Sequence, residues 1–306
     1  MPAFLPGPLI ALLFVIPLAL NTMLFASLII LFMPLRFLMP TTGLRRAVTA
    51  LLIRFADTWC AVNNHLLIPL LPRIEWDVEL PQGLSKKNWY FVIANHQSWV
   101  DIMVLFHIFG GRIPVLKYFL KQELIWIPFM GLGMYALDFP FMKRYSRETL
   151  EKHPELKGRD IETTRRSCEK FRQTPVSVMN FLEGTRITPQ KHAQQQSPYR
   201  HLLKPKAGGM AFTLSALGDR MEVLLDTTIV YPDGIPTFGD FASGRLRHIV
   251  VRVQARPLPP KAFTHDYEND AAFRQEFQDW AAALWTEKDR DIDRLLAAAR
   301  SKKGTQ

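Results

Sequence analysis

Cysteine is scarce in this chain of 306 residues, and its first 35 residues carry no charged side chain. The two cysteines, Cys60 and Cys168, form no C-x-x-C pair, so the sequence predicts no disulfide framework. The G-x-S-x-G sequence that presents the nucleophile of α/β-hydrolases is absent, which argues against Ser98 as a nucleophile. Because the histidines also lack metal-ligand spacing, we expect no metal and no resident cofactor.

The uncharged start, residues 1–35, is longer than the roughly 20 residues needed to cross a bilayer. It lacks the basic start and the small-residue cleavage pattern of a signal peptide. The sequence therefore predicts a membrane anchor over residues 1–40. The first interpretation is a transmembrane helix kinked near Pro17, and the second is a helical hairpin that turns near Asn21. Because arginines follow this run and none precede it, we expect the rest of the chain in the cytoplasm.

An excess of 38 basic over 28 acidic side chains gives the chain a formal net charge of +10. Such a charge favours an anionic partner, which is nucleic acid, anionic lipid or a phosphorylated substrate. The sequence contains no aromatic RNA-binding platform, no zinc-finger spacing and no basic zipper. Together with the apolar anchor, this favours a membrane bilayer or a phosphorylated substrate as the partner, and no nucleic acid.

Apolar runs of strand length alternate with helical patterns after residue 89. This alternation predicts an α/β domain over residues 41–306, with a layered, mixed and partly parallel sheet and flanking helices. Continuous apolar runs over 89–94 and 176–182 indicate buried strands. A final amphipathic helix is predicted over 271–299.

Less regular patterns predict the remaining elements. We expect helices over 44–71, 117–124, 125–137, 161–172 and 207–217, strands over 78–84, 113–115, 139–142, 223–231 and 249–254, and loops over 146–160 and 188–200.

A histidine and an aspartate, His96 and Asp101, stand where the strand over 89–94 gives way to a helix. A neutral imidazole can take a proton from a hydroxyl, and a carboxylate on its other nitrogen fixes the tautomer and stabilises the imidazolium. On a continuous helix the two side chains would point about 140° apart, so they can meet only if a turn precedes the helix. In the simpler alternative, Ser98 and Asp101 form a capping box, and Asp101 only caps its own helix.

A second polar sequence, Glu183-Gly184-Thr185-Arg186, follows the strand over 176–182. Its loop is expected at the carboxyl edge of the sheet, where α/β folds bind ligands. Arg186 can hold a phosphate through two parallel N–H groups, and Gly184 lets the backbone approach a ligand. Glu183 is expected to orient Arg186 or a substrate hydroxyl. An ordinary polar turn is the alternative.

Three further cations are candidates for contacts to a substrate. Arg144 closely follows the apolar stretch 139–142 and can present its guanidinium at a pocket wall. Lys121 and Lys206 are possible contacts to a phosphate or to an acyl donor. A solvated surface position is the alternative for all three.

In this order and spacing, the His96-x-x-x-x-Asp101 pair, Arg144 and the E-G-T-R sequence ending at Arg186 resemble PlsC-type glycerolipid acyltransferases, over about residues 85–235. The resemblance implies transfer of a fatty acyl group from acyl-CoA or acyl carrier protein to the 2-hydroxyl of 1-acyl-glycerol 3-phosphate (lysophosphatidic acid). It implies that His96 is the base and Asp101 its orienting group, with Arg144 and Arg186 on the phosphate of the acceptor. Resemblance to inner-membrane members implies the inner membrane, with the catalytic domain on its cytoplasmic face.

The chain departs from the family pattern at two places. Leu182 stands where the family usually has proline, and the fourth family motif, usually apolar with a central proline, is here D-T-T-I-V-Y-P over 226–232. The acceptor therefore stays open. A second hypothesis keeps the chemistry with another lysophospholipid or hydroxylated membrane lipid. A third is a non-catalytic scaffold that binds anionic lipid, and a thioesterase that uses water as the acceptor is a further alternative.

Overall fold

The computed structural model describes residues 5–71, 74–142, 168–169, 171–172, 174–217, 220–221, 223–267 and 269–304. Arg144, the predicted loop over 146–160 and most of the predicted helix over 161–172 lie outside these described residues.

The described elements alternate along the chain much as the apolar pattern predicts. The helices are α1 (Gly7–Phe32), α2 (Leu35–Leu38), α3 (Thr42–Val62), α4 (Val100–Phe109), α5 (Met130–Ala136), α6 (Pro189–Gln195), α7 (Gly208–Leu217), α8 (Phe238–Ala242) and α9 (Ala271–Gly304). The strands are β1 (Glu75–Glu79), β2 (Tyr90–Ala94), β3 (Leu116–Tyr118), β4 (Leu120–Lys121), β5 (Phe141–Met142), β6 (Ser177–Phe181), β7 (Val223–Val230) and β8 (His248–Arg256).

Within the described residues, six strands form one sheet in the order β1-β8-β7-β2-β6-β3, and β4 pairs with β5 in a small second sheet. Neighbours in the large sheet run parallel, except that β7 and β8 are antiparallel. All five residues of β2 are buried because layers of side chains cover both faces of the sheet. The predicted mixed and largely parallel α/β fold is confirmed.

The register of the central strands brings their carboxyl ends to one edge of the sheet. Ala94, the last residue of β2, lies opposite Phe181 of β6 and Thr227 of β7. The loops that begin at Asn95 and Leu182 therefore leave the sheet side by side. This is the edge at which parallel α/β sheets usually bind ligands.

Two apolar layers enclose the sheet. On one face, α7 and α9 pack their apolar sides against the strands, with Met210, Leu214, Phe277 and Trp285 fully or nearly fully buried. On the other face lie α4, α8 and the first half of α1, including Phe14, Val104, Leu105 and Phe241.

The first helix, α1, is continuous through Pro17, so the alternative prediction of a hairpin turning near Asn21 is wrong. Instead the chain reverses between α1 and α3, and the Asn21 amide donates to the Asn63 side chain at 2.8 Å. That bond gives a hydrogen-bond partner to a polar side chain that is buried among apolar ones. Among the described residues, one helical stretch, Gly7–Leu38, is long and apolar enough to cross a membrane.

Several predicted elements differ in the structure. The region 117–124 is not an α-helix: it contains the end of β3, which pairs with β6, then β4, and then the start of a 3₁₀-helix over Gln122–Trp126. Strand pairing in the tertiary structure outweighs the local helical spacing there. The predicted loop over 188–200 contains α6, which Thr188 caps by accepting from the backbone N–H of Lys191, with Pro189 in the first turn. These are start signals that the sequence already contained.

The other differences are smaller. Strand β1 begins three residues before the predicted strand over 78–84, and β3 follows the predicted strand over 113–115. The predicted helix over 125–137 is shortened to α5, since Phe129 has a positive φ of 61° just before it.

Candidate active site

The loop between β2 and α4 is held in place by Asn95. Its amide donates to the carbonyl of Ile229 at 2.8 Å, and its side-chain oxygen accepts from the Ile229 N–H at 2.9 Å. The side chain therefore continues the pairing of β2 with β7 for one more residue. It brings the next residue, His96, to the open edge of the sheet in a defined position.

The predicted pair of His96 and Asp101 is present. The Nδ1 atom of His96 lies 2.9 Å from Oδ2 of Asp101, and the same oxygen accepts from the backbone N–H groups of Gln97 and Ser98 at 2.7 and 2.8 Å. The turn precedes the helix, as the geometry requires. Only half of the alternative capping box is present: Asp101 accepts from the Ser98 N–H, but the Ser98 hydroxyl accepts from Val100 and not from the Asp101 N–H. Asp101 therefore holds the imidazole and does not only cap its own helix.

The Ser98 hydroxyl makes two hydrogen bonds to the backbone. It accepts from the N–H of Val100 at 3.1 Å and donates to the carbonyl of Pro236 at 2.5 Å. It therefore ties the start of α4 to the loop before α8.

The second oxygen of Asp101 accepts a hydrogen bond from the Tyr231 hydroxyl at 2.7 Å. Burial raises the pKa of this phenol well above its usual value, and the charge of Asp101 raises it further. Asp101 is itself fully buried, with four donors around its two oxygens if Nδ1 of His96 carries a proton. Such a carboxylate is fixed in one orientation and holds the His96 ring in one orientation.

The imidazole of His96 stacks on the Phe181 ring, with centroids 3.8 Å apart and planes 11° apart. Its side chain remains 14% exposed, whereas that of Asp101 is fully buried. Because Nδ1 is occupied by Asp101, Nε2 is the ring nitrogen left to act on a ligand. A histidine held in this way can remove a proton from a hydroxyl and return it to a leaving group.

Glu183 lies beneath the loop rather than beside Arg186. One carboxylate oxygen accepts from the N–H of His96 at 2.8 Å, and the other accepts from the N–H of Leu203 at 2.8 Å. Glu183 is fully buried, and burial raises its pKa to about 7, although the two N–H donors oppose this. The prediction that Glu183 orients Arg186 or a substrate hydroxyl is therefore corrected, because both of its oxygens accept from backbone N–H groups. Glu183 joins the His96 loop to the segment before α7.

The E-G-T-R loop is bonded directly to the His96 loop. The backbone N–H of Ile187 donates to the carbonyl of His96 at 2.9 Å. Arg186 places its guanidinium carbon 4.9 Å from the centre of the Trp99 ring, which is 57% exposed. A cation held against an aromatic face keeps its N–H edge available for an anion. The histidine and the arginine thus belong to two adjacent, mutually bonded loops.

Two lysines adjoin the same loop. Gly184 has a φ of +69°, and a Cβ atom there would lie 3.3 Å from Cδ of Lys206, so glycine suits both the conformation and the neighbour. The ammonium of Lys191 donates to the Thr185 hydroxyl at 2.6 Å and to the Arg186 carbonyl at 3.2 Å. Sequence reasoning identified Lys206 but missed Lys191, because α6 was predicted to be a loop.

The two remaining candidate cations are Lys121 and Arg144. Lys121 is exposed on β4, opposite Met142 of β5, close to where the chain leaves the described residues. Arg144 lies in the part of the chain that the structure does not describe, so its role stays a prediction.

Three other residues that build the site were missed: Asn95, Phe181 and Tyr231. The sequence carried a signal only for Asn95, which adjoins His96. Phe181 is the last residue of β6 and Tyr231 directly follows β7, and only the sheet register brings these aromatic side chains to the histidine and the aspartate.

A separate charged group lies under α9, where the fourth family motif departs from its apolar pattern. Asp226 pairs with Lys288 at 2.5 Å and with Arg256 at 3.0 Å, and Arg256 pairs with Glu287 at 2.6 Å. Lys288 is only 2% exposed and also donates to the Thr227 carbonyl at 2.8 Å. Burial lowers the pKa of Lys288, and the Asp226 carboxylate opposes that shift.

Comparison with known proteins identifies relatives with this fold. A crystal structure of the 1-acyl-sn-glycerophosphate (LPA) acyltransferase PlsC from Thermotoga maritima superposes with a TM-score of 0.55 at 16% sequence identity, covering 94% of this chain and 97% of that one. At this identity the likeness shows a shared fold.

Three relatives illustrate the range of named activities. An uncharacterized acyltransferase of Schizosaccharomyces pombe is 27% identical, a 2-acyl-1-lysophosphatidylinositol acyltransferase of Saccharomyces cerevisiae is 26% identical, and a 1-acyl-sn-glycerol-3-phosphate acyltransferase delta of Mus musculus is 24% identical. The matches cover 67%, 67% and 65% of this chain, and 59%, 61% and 50% of those proteins. The chain therefore spans between half and two thirds of the length of the curated relatives it matches.

The family model described as "Acyltransferase" matches residues 75–235, which is more than half of the chain. The matched region contains the His96–Asp101 pair, Glu183 and Arg186. The chain belongs to the acyltransferase family.

Proposed function

We propose that this protein transfers a fatty acyl group from an acyl-CoA or acyl carrier protein thioester to the 2-hydroxyl of 1-acyl-glycerol 3-phosphate, giving phosphatidic acid. The observation that carries this proposal is the joining of two loops. His96, held by Asp101, lies in one loop, and Arg186 lies in the other, with a backbone hydrogen bond of 2.9 Å between the loops. A base and an anion-binding cation on adjacent loops suit an acceptor that carries both a hydroxyl and a phosphate.

In the proposed reaction, Nε2 of His96 accepts the proton of the acceptor hydroxyl while the hydroxyl oxygen attacks the thioester carbonyl. The C–O ester bond forms and the C–S bond breaks, and the imidazolium returns the proton to the departing thiolate. Asp101 stabilises the imidazolium through Nδ1. Because the thioester is already activated, base catalysis of about 10²–10⁴-fold and orientation of the two substrates carry the rate.

The phosphate of the acceptor would bind to Arg186. Its guanidinium lies over the face of the Trp99 ring, which leaves the N–H groups at its edge to bind an anion. Lys206 adds positive charge beside Gly184. Arg144 remains a further proposed phosphate ligand from the family resemblance.

An apolar pocket supports a substrate with a long acyl chain. It is lined by side chains from four helices, among them Phe25 and Ile29 of α1, Trp59 of α3, Phe109 of α4 and Met134 of α5. Such a lining excludes water and matches a fatty acyl chain.

The proposed location is the cytoplasmic face of the inner membrane. The first half of α1 packs on the domain, since Phe14 is fully buried and meets Phe241 edge to face at 5.5 Å. The second half exposes Leu20, Leu24 and Leu31 by 56–69%. We therefore propose that the second half of α1 enters the bilayer while its first half stays on the domain. A cavity of about 740 Å³ is lined by Arg36 of α2 and by Arg45 and Arg46 of α3. These cations suit anionic lipid head groups.

The test is an assay of thiol release with acyl-CoA and acyl carrier protein donors and a set of acceptors. His96→Ala should lower turnover by at least about 10²-fold while the unfolding transition stays unchanged. The matched control is His265→Ala on the exposed surface, which should retain full turnover. Near-wild-type turnover of His96→Ala would contradict the mechanism.

A second candidate acceptor follows from the relative that is named a 2-acyl-1-lysophosphatidylinositol acyltransferase. If Arg186 binds a bare phosphate, lysophosphatidic acid should outcompete lysophosphatidylinositol and lysophosphatidylcholine. Preference for the inositol acceptor would change the substrate and keep the chemistry. A non-catalytic scaffold predicts lipid binding with no thiol release, and a thioesterase predicts release without any acceptor.

A further inference from the structure

A group of large apolar side chains is exposed on the domain itself, in addition to those of α1. The group, called here the 126–135 segment, precedes and includes most of α5. Its exposed members are Trp126 (83%), Ile127 (40%), Phe129 (41%), Met130 (41%), Leu132 (48%) and Tyr135 (49%). No charged residue occurs between Glu123 and Asp138. Soluble proteins rarely leave such a contiguous apolar surface in water, and its usual partners are proteins or membranes.

The 126–135 segment is a compact, internally bonded structure. The N–H groups of Ile127, Gly131 and Gly133 donate to the carbonyls of Leu124, Ile127 and Phe129 at 3.2, 2.9 and 2.9 Å. At Gly131 any Cβ atom would overlap the Ile125 carbonyl oxygen, so the position requires glycine. These backbone hydrogen bonds lower the cost of moving the segment from water into a lipid phase.

The segment also continues the apolar surface of α1. A Cβ atom at Gly133 would lie 3.5 Å from Cβ of Ala26, so α5 and α1 are in close contact. At the end of α5, Arg36 donates to the Ala136 carbonyl at 3.4 Å and pairs with Asp138 at 2.8 Å. The apolar surface is thus bounded by a cation beside the chain reversal. Lys121 lies exposed just before it. An apolar surface that contains an exposed tryptophan and ends at charged residues matches the interface of a bilayer.

We infer that the 126–135 segment inserts into the bilayer beside α1 and forms a second membrane-embedded element, whose partner is a glycerophospholipid bilayer. The inference rests on the proposed function only for the presence of the protein at a membrane. With one attachment the domain can rotate about α1, whereas two attachments fix its orientation. The edge of the sheet that carries the His96 and Arg186 loops then faces the membrane in a single orientation. The competing partner is a second copy of the chain, which would bury the same side chains in a protein interface.

The decisive experiment measures tryptophan quenching in the full-length protein reconstituted in phosphatidylcholine and phosphatidylglycerol vesicles. Phospholipids brominated along their acyl chains quench only rings that lie within the bilayer. Trp126→Phe should remove a bromine-quenched component of the emission, and that component should be shielded from acrylamide in water. The matched control, Trp280→Phe on α9, should leave the quenched component unchanged.

Two outcomes would overturn the inference. If the Trp126 component is quenched by acrylamide and not by brominated lipid, the segment lies in water. If it is shielded from both quenchers and dilution of the protein in the vesicles exposes it, a second copy covers it. Either result leaves the proposed acyl transfer intact, because neither concerns His96.

A charge substitution tests the consequence for activity. Leu132→Glu should lower turnover several-fold on an acceptor carried in vesicles and leave turnover on a detergent-dispersed acceptor unchanged. Ala298→Glu adds the same charge on the exposed side of α9 and should change neither rate. Equal vesicle rates for Leu132→Glu and wild type would count against insertion. If no acceptor is acylated at all, the proposed function fails, while the quenching experiment still decides the inference.

Discussion

Two groups of charged side chains lie along the same central strands, and they are built in opposite ways. In the site, the carboxylates of Asp101 and Glu183 are bonded mainly to backbone N–H groups. Under α9, Asp226 is bonded to the cations of Lys288 and Arg256. The first arrangement leaves the imidazole of His96 partly exposed, whereas the second neutralises its charges within the protein.

The difference separates a site from a structural element. Backbone donors hold a carboxylate without consuming a side-chain cation, so the local charge remains available to stabilise an imidazolium. The Asp226 carboxylate is neutralised by two cations and has no charge left to stabilise a reacting group. Breaking this ion pair is therefore expected to lower the stability of the fold and to leave turnover unchanged. Glu183 combines features of both groups, since it is fully buried and yet bonds to the backbone of His96.

The largest expected effect is on the α9 side. Lys288→Met leaves Asp226 with one cation fewer in a buried position, and we expect a loss of about 3–5 kcal/mol in the free energy of unfolding. Turnover at temperatures where the variant is folded should stay close to that of wild type. Urea unfolding of the detergent-solubilised protein measures the first quantity and thiol release the second.

Two controls accompany this variant. Lys261→Met breaks an exposed pair with Glu276 and should cost less than about 1 kcal/mol. The double variant Lys288→Met with Asp226→Leu should recover much of the lost stability. A large loss of turnover in stable Lys288→Met would show that the two charged groups are not separate.

The next effect concerns Glu183 and pH. Burial raises its pKa from 4.5 to about 7, so between these values the folded state keeps a proton that the unfolded state has released. Stability contributed by this group is complete below about pH 4.5 and is lost as pH rises through about 7, by at most about 1.4 kcal/mol per pH unit. Glu183→Gln should flatten the unfolding free energy in this window, and exposed Glu276→Gln should not. An unchanged slope in Glu183→Gln would place the titrating group elsewhere.

The smallest effect distinguishes orientation from stability within the site. Tyr231→Phe removes the hydroxyl donor from Oδ1 of Asp101, and we expect turnover to fall about tenfold, or about 1.4 kcal/mol in the barrier. The matched control is Tyr199→Phe, whose hydroxyl donates to the Ala282 carbonyl at 3.2 Å on the opposite face of the sheet. It should leave turnover unchanged. Equal effects from the two substitutions would mean that the loss is not specific to the Asp101 contact.

Much of the fold could be predicted because buried parallel strands have a distinctive sequence. Continuous apolar runs identified β2 and β6 nearly to the residue, and the polar residues just after them identified both loops of the site. Where local and tertiary preferences conflict, prediction was wrong. The region 117–124 has helical spacing, yet the sheet edge turned its first residues into strand β3 and the next into β4.

The sequence by itself determined the α/β architecture, the apolar first helix, the positions of His96 and Arg186 in the loops after β2 and β6, and that of Asp101 at the start of the next helix. These depend on patterns that repeat over short distances, namely apolar runs and turns. Only the tertiary structure decided that Tyr231 holds Asp101 across 130 residues, that Glu183 faces His96 rather than Arg186, and that Lys288 neutralises Asp226. Contacts of this kind depend on strand register and on the packing of α9, and no local pattern encodes which distant side chains the folded chain brings together.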